Sequence, residues 1–147
     1  MIDAARSSGG RFPAWLESML DDPLTPGLLT ERLDGQEVSL YQPWDAGLVG
    51  NPWRRQIHGG VLTCLLDKAT RAAALTVIGA EETVVPLDLR IDHQRATVGR
   101  EGLRVRARCY RCSATVAFVE GTVSELNSGV TVGTGMSSLL RVEGSRE

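Results

Sequence analysis

The residues best suited to chemistry form a short motif, Ile57-His58-Gly59-Gly60, directly before a long apolar segment. Two glycines let a ligand approach the backbone without meeting a Cβ atom. If the apolar segment is a helix, the free N–H groups and the positive dipole end of its first turn point toward the same ligand. The motif therefore predicts an oxyanion site for a carbonyl oxygen that becomes negative, although a tight loop-to-helix turn would also explain the glycines.

Asp67 is the second candidate, because a carboxylate in the middle of an apolar helix is costly to bury. One interpretation is a general base or nucleophile whose pKa is set by its pocket. The other is a surface ion pair with Arg71, one turn later, helped by Lys68.

The spacing of these residues has a geometric consequence. His58 and Asp67 are nine residues apart in the sequence. On one helix they are separated by about 13 Å along the axis and lie on opposite faces. They cannot act on one carbon within a single chain, but two antiparallel helices across a two-fold axis bring Asp67 of one near Gly59 of the other. If both residues act, a homodimer with two shared sites is expected.

The segment that carries these residues is predicted to be a buried central helix. Residues 61–78 are rich in Ala and Leu, contain no Pro and end at Gly79, which indicates a helix of roughly 18 residues. Apolar residues cover most of its circumference, so it must lie inside a larger structure. A short helix is predicted after Pro13, ending at residues 21–23, and the polar residues 1–12 are expected to be mobile.

Strand-like patterns lie on both sides of the central helix. Asp34-Gly35 predicts a hairpin with a type I′ turn, and residues 42–58 are expected to form a long loop. Four later runs predict strands, at residues 87–94, 103–109, 115–123 and 130–140; in the first, Leu87, Leu89, Ile91 and His93 alternate with polar residues. Short polar turns favour antiparallel pairing, so the fold class is α+β, with one long helix packed on a sheet of about six strands.

Composition narrows the function classes. The chain has 147 residues, 42% of them hydrophobic, and a net charge of -2, which fits one domain and disfavours a nucleic-acid-binding protein. The longest apolar stretches fall short of the ~20 residues of a membrane span. The N-terminus shows no signal-peptide pattern, so a cytoplasmic location is expected.

The cysteines are Cys64, Cys109 and Cys112, an odd number that argues against a disulfide scaffold. Cys109 and Cys112 have the spacing of a zinc or redox pair. A zinc site needs four ligands, and His58 and His93 are not at zinc-finger spacing. A redox pair stands at a helix N-terminus, whereas this one ends a strand. Buried structural thiols, with no metal, are therefore predicted.

Residues 57–62, followed by Leu65-Leu66-Asp67, Ala69 and the strand 87–92, resemble the hotdog-fold thioesterases of the phenylacetate-pathway (PaaI-like) type over roughly residues 27 to 141. The resemblance implies a curved antiparallel sheet wrapped around one central helix, in dimers or tetramers that hydrolyse acyl-CoA thioesters. It divides the chain into an N-terminal extension with a short helix, 1–26, and a hotdog domain, 27–147.

The resemblance also implies roles for individual residues. The Gly59 N–H would polarise the thioester carbonyl, while Asp67 from the facing subunit activates water or attacks directly. His58 would shape the loop. Upstream, Asn51 is the candidate for orienting the nucleophile or water, with Gln56 as its substitute. Some relatives have a Ser or Thr near the position of Pro86, and its hydroxyl has an auxiliary role. In this chain that role is either absent or taken by Thr83.

Several further residues are candidates for binding the substrate. Gly60 leaves room for the ligand, and His93 is expected in the core or in a pocket wall. Arg54 and Arg55 could contact CoA phosphates. Arg104, Arg106 and Arg108 share one face of a strand, for which a solvated outer face of the sheet is favoured and phosphate contact is the alternative. Trp44 and Trp53 could line an acyl pocket or simply pack.

The sequence therefore predicts an acyl-CoA hydrolase that needs no cofactor beyond the coenzyme A of its substrate. The alternative is a non-catalytic acyl-CoA-binding or regulatory hotdog protein. A hotdog hydratase or dehydratase ranks below both, because its His/Asp loop motif is not evident.

Overall fold

The computed structural model describes residues 12–98 and 100–143. The predicted mobility of residues 1–12 concerns residues that lie, except for Phe12, outside the described part. The elements in chain order are α1 (Ala14–Leu20), β1 (Leu29–Asp34), β2 (Glu37–Gln42), a 3-10 turn (Ala46–Leu48), β3 (Val49–Asn51), β4 (Gln56–Ile57), α2 (Gly59–Ile78), β5 (Thr83–His93), β6 (Leu103–Cys112), β7 (Val116–Glu125) and β8 (Thr131–Val142).

Six strands form one antiparallel sheet in the order β1-β2-β6-β7-β8-β5. The strand that follows α2 therefore pairs at the far edge of the sheet from β1. This arrangement of one long helix on a six-stranded antiparallel sheet confirms the predicted α+β hotdog class. The main helix begins at Gly59, two residues before the predicted start.

The central helix packs closely on the sheet because two glycines lie beneath it. Leu65 and Leu66 are fully buried, and Leu66 lies over Gly121 and Gly135, which face each other on β7 and β8. A Cβ atom on Gly121 would lie only 2.8 Å from Leu66 Cδ2. Glycine at these positions thus lets the helix approach the sheet backbone.

Two local predictions are wrong. The segment 42–58 contains the small antiparallel ribbon β3–β4 and is not an unstructured loop. In the β1–β2 hairpin Gly35 has a φ of 58° but Gln36 does not have a positive φ, which is the pattern of a type II′ turn and not of type I′.

The edge strand β5 departs from simple alternation. Its register shifts between Pro86 and Asp88, and the intervening Leu87 is 59% exposed. Leu89 and Ile91 pack against the core as predicted. The bulge explains why the predicted alternation fails at its first member.

The short helix α1 starts after Pro13 and ends at Leu20, as predicted. Leu16 and Leu20 belong to the hydrophobic core, and an ion pair of 2.6 Å between Asp22 and Lys68 ties the following segment to α2. The proposed boundary between residues 26 and 27 stays a prediction. Neither helix in the described part of the chain is long and apolar enough to cross a membrane.

Candidate active site

The N-terminus of α2 is organised by His58. Its Nδ1 accepts a hydrogen bond of 2.9 Å from the Gly60 N–H, so the imidazole caps the helix. The His58 carbonyl accepts from the Val61 N–H at 2.9 Å, and its own N–H donates to the Leu48 carbonyl at 2.8 Å. Within the described residues the Gly59 N–H donates to no protein atom, so it is a free donor at the positive end of the helix dipole.

A cavity of about 460 Å³ opens beside this free donor. The structure brings five predicted site residues together around it: Asn51, Gln56, His58, Gly59 and His93. His93 Cε1 would lie 3.4 Å from a Cβ atom placed on Gly59. Of the two positions expected for His93, the core and a pocket wall, the structure has the second: His93 ends an edge strand, is exposed and lines the cavity.

The ribbon β3–β4 forms one side of the cavity. Asn51 Oδ1 accepts hydrogen bonds from the N–H groups of Trp53 at 3.2 Å and Arg54 at 3.3 Å. These bonds build the turn, so contact with water or substrate is left to the NH₂ group of Asn51. Trp53 at the tip is 94% exposed, and Arg54 and Arg55 are exposed beside it, outside the cavity.

The opposite side of the cavity depends on Thr97, which sequence reasoning missed. Its buried hydroxyl accepts a hydrogen bond of 2.9 Å from the Ile57 N–H, 40 residues away in the chain. The buried carboxylate of Glu125 accepts the Val98 N–H at 2.7 Å and fixes the same loop to the end of β7. These bonds hold the residue that precedes His58, and no sequence pattern marks them.

Asp67 lies on α2, away from this cavity. Its Oδ1 forms an ion pair of 2.9 Å with Arg71 Nε, and the Asp67 side chain is 36% exposed. The surface pair considered for Asp67 is thus present, but Lys68 does not help because it binds Asp22. Eight residues of helix place Asp67 about 12 Å from Gly59 along the axis, so one chain does not bring them together.

Thr83 is also distant. It begins β5 whereas His93 ends it, a separation of about 33 Å along the strand. The auxiliary hydroxyl role expected of Thr83 has no place at the cavity of its own chain.

Comparison of the sequence with protein-family models identifies the superfamily of the chain. The family model described as "Thioesterase superfamily" matches residues 56–131, more than half of the chain. The chain belongs to the thioesterase superfamily. The matched region runs from β4 through α2 into the start of β8, so it includes the helix terminus and Asp67. No curated protein sequence matches the chain.

Solved structures of other proteins, two of them described as thioesterases, show the same fold. A thioesterase family protein from Silicibacter pomeroyi is 21% identical with a TM-score of 0.77, covering 88% of this chain and 96% of that one. A Haemophilus influenzae thioesterase is 16% identical with a TM-score of 0.78, covering 90% and 91%. The E. coli PaaI protein from the phenylacetic acid degradation operon is 19% identical with a TM-score of 0.71, covering 80% and 81%.

The outer face of this thioesterase carries the arginines of β6. Arg104 forms a two-point contact with Glu31, at 2.6 and 2.9 Å. This bond, with a smaller contribution from Ser39, holds the pKa of Glu31 below its ordinary value despite partial burial. Arg106 and Arg108 are exposed on the same face, opposite α2. None of the three lines the cavity, so the structure favours the outer-face interpretation within one chain.

Trp44 has the second of its two expected roles, ordinary packing. Trp44 packs against the core with the Arg100 guanidinium 5.4 Å from its ring centroid, and it does not line the cavity.

One of the cysteine predictions is wrong. All three cysteines are free. Cys109 is buried, which raises the pKa of its thiol, but Cys112 is exposed near the end of β6, so it is not the buried thiol that was predicted. Among the described residues, no three His, Cys, Asp or Glu side chains are grouped so that they could hold a metal ion.

Proposed function

We propose that this thioesterase hydrolyses acyl-CoA thioesters at two sites shared across a homodimer. The observation that carries the proposal is the free Gly59 N–H at the start of a buried helix, beside a cavity large enough for part of a substrate. Such a donor stabilises the oxyanion that forms when a thioester carbonyl is attacked.

The proposed mechanism uses two chains. The Gly59 N–H binds the thioester oxygen, and Asp67 of the partner subunit takes a proton from water as the water oxygen attacks the carbonyl carbon. The C–S bond then breaks, and the leaving thiolate accepts the proton held by Asp67 of the partner subunit, which gives coenzyme A and a free acid and restores the carboxylate. His58 keeps the first turn of the helix in position through its bond to Gly60.

Two exposed features support the dimer. The strand β5 has 11 residues and pairs only with β8 among the described strands, so its other edge is free. Val85 and Leu87 are exposed on this strand. A long, partly apolar free edge is suited to pairing with a second copy. Thr63 and Asp67 lie one turn apart on α2; Thr63 is exposed and Asp67 is half-buried, on a face that a partner helix could cover.

The coenzyme A part of the substrate is assigned to the tip of the β3–β4 ribbon. Trp53 offers an exposed ring on which an adenine could stack. Arg54 and Arg55 offer guanidinium groups that bind phosphates through paired donors. A rival role, acyl-CoA binding without hydrolysis, is favoured by one observation: the side-chain oxygen Oδ1 of Asn51 already accepts two hydrogen bonds in the turn.

The test is release of free thiol from a panel of acyl-CoAs. Asp67→Asn should lower turnover by about 10²-fold, the usual scale for a positioned acid or base. Asp34→Asn, in an exposed ion pair with Arg32 at the β1–β2 hairpin, is the matched control and should retain activity. Tight binding of acyl-CoA without turnover by the wild type would favour the non-catalytic role.

Sharing of the site is tested by mixing two inactive variants. Asp67→Asn lacks the base, and Gly59→Pro lacks the oxyanion donor. Co-refolded subunits should recover about a quarter of wild-type activity, because half of the random dimers are mixed and one of their two sites is intact. No recovery, with dimers present by sedimentation, would contradict a shared site.

A further inference from the structure

A second cavity lies on the other side of His58. It has a volume of about 530 Å³ and is lined mainly by apolar side chains of the α1–β1 connection, the 3-10 turn and α2, among them Leu24, Leu48, Val61 and Cys64. Of the residues that the structure describes, His58 alone lines both cavities. Gly59 lines the first cavity and Gly60 the second, so the start of α2 lies between them.

The two cavities differ in their side chains. The first cavity has the polar side chains of Asn51, Gln56, Gln94 and Arg95 in its wall, beside apolar ones such as Leu62. In the second, the Asp45 carboxylate already accepts the Gly47 N–H at 2.7 Å, and the other side chains apart from His58 are aliphatic, proline or thiol. A thioester has two arms of similarly different polarity on either side of its carbonyl.

We propose that the second cavity binds the acyl group, and that Leu24 and Cys64 determine which chain lengths are accepted. The inference rests on the proposed function, and it assigns the polar cavity to the pantetheine arm. A carbonyl at the Gly59 N–H then has the acyl chain on the Gly60 side of His58.

The lining indicates the kind of acyl group. Cys64 is the last α2 residue on the cavity wall, six residues after His58, which is about 9 Å along the helix. Among the described residues, no aromatic ring other than the imidazole lines the space. The cavity therefore suits a medium-chain aliphatic group such as hexanoyl or octanoyl. Leu24, which is 63% exposed at the wall, gains apolar contacts when such a chain binds.

The first test is chain-length selectivity. In Cys64→Phe, the ratio of kcat/KM for octanoyl-CoA to that for butanoyl-CoA should fall about tenfold, the loss expected when roughly two methylene groups lose their apolar contacts. Leu24→Ala should lower the same ratio. The matched control is Cys112→Phe, at an exposed thiol outside both cavities, which should leave the ratio unchanged.

The second test leaves Cys64 in place, so it does not depend on how Cys64→Phe folds. In a Cys112→Ser background, iodoacetamide alkylation reports on the half-buried Cys64, because Cys109 is buried. The thioether S-octyl-CoA should slow alkylation of Cys64, whereas free coenzyme A should not. If thioesters are hydrolysed but the selectivity ratio and the alkylation rate do not change, the acyl cavity is wrong and the proposed function stands. If no thioester is hydrolysed, both are wrong.

Discussion

Replacing Gly59 by proline removes one N–H group and little else. Gly59 is the first residue of α2, and proline is well tolerated at the first position of a helix. The residue before proline must be extended, and His58 already is, with φ −60° and ψ 134°. Gly59→Pro should therefore preserve the helix start while it deletes the proposed oxyanion donor.

The expected effect on turnover is much larger than that on stability. Loss of one oxyanion donor lowers kcat by about 10²- to 10³-fold, or roughly 2.7–4 kcal/mol of transition-state stabilisation. The free energy of unfolding should change by about 1 kcal/mol or less, since the backbone conformation already suits proline. For a chain of this size, such a change shifts Tm by only about 2–4 °C.

Gly59→Ala is the matched control for this comparison. It keeps the N–H and adds a Cβ atom 3.4 Å from His93 Cε1, at the limit of ordinary contact. Thiol release and thermal unfolding are measured for both variants. Gly59→Pro should lose far more activity than Gly59→Ala at similar Tm. Equal losses in the two variants would refute the role of the Gly59 N–H, because the added bulk alone would then account for them.

Two further predictions concern the surrounding structure. Thr97→Val leaves the buried Ile57 N–H without its acceptor, which should lower the free energy of unfolding by about 1–3 kcal/mol. Hydrogen exchange at the Ile57 amide should become faster in Thr97→Val, whereas Thr97→Ser should keep the amide protected. Unchanged exchange in Thr97→Val would contradict the contact. Because Arg104 lowers the folded-state pKa of Glu31, their pair stabilises the fold fully above the unfolded pKa of glutamate and loses this effect as pH falls through the lower folded pKa. Urea denaturation from neutral to acidic pH should show a shallower loss of stability in Arg104→Met than in the wild type or in the exposed control Arg32→Met, and parallel curves would overturn this.

The large elements were predictable because each has a strong periodic pattern. The helix over residues 61–78 and the strands after it combine long apolar repeats with clear Gly or polar boundaries, and they appear at nearly those positions. The ribbon β3–β4 was missed because strands of three and two residues are too short for any period. Its turn depends on the Asn51 side chain and on a positive φ of 53° at Arg55, and no simple sequence rule predicts a positive φ at an arginine.

The candidate site was predictable only where it is local in sequence. The motif from His58 to Gly60 lies within one turn, so its residue types already indicate a capped helix terminus with a free donor. The other walls of the cavity come from distant segments. Thr97 and Glu125 accept hydrogen bonds from backbone N–H groups of residues that are distant in the sequence. No local sequence pattern predicts such pairs.

Asp67 shows why the same residue supports both of its interpretations. The ion pair with Arg71 uses Oδ1 of the carboxylate, and in the described residues Oδ2 accepts no hydrogen bond. An i,i+4 pair on a half-exposed helix face contributes little to stability, so this pairing alone does not explain a carboxylate at this position. In the proposed mechanism Arg71 holds one oxygen and orients the group, while the other oxygen takes the proton from water. The helix rise of about 1.5 Å per residue keeps that oxygen away from Gly59 of its own chain, so the surface pair becomes part of a site only when a second copy supplies the helix terminus.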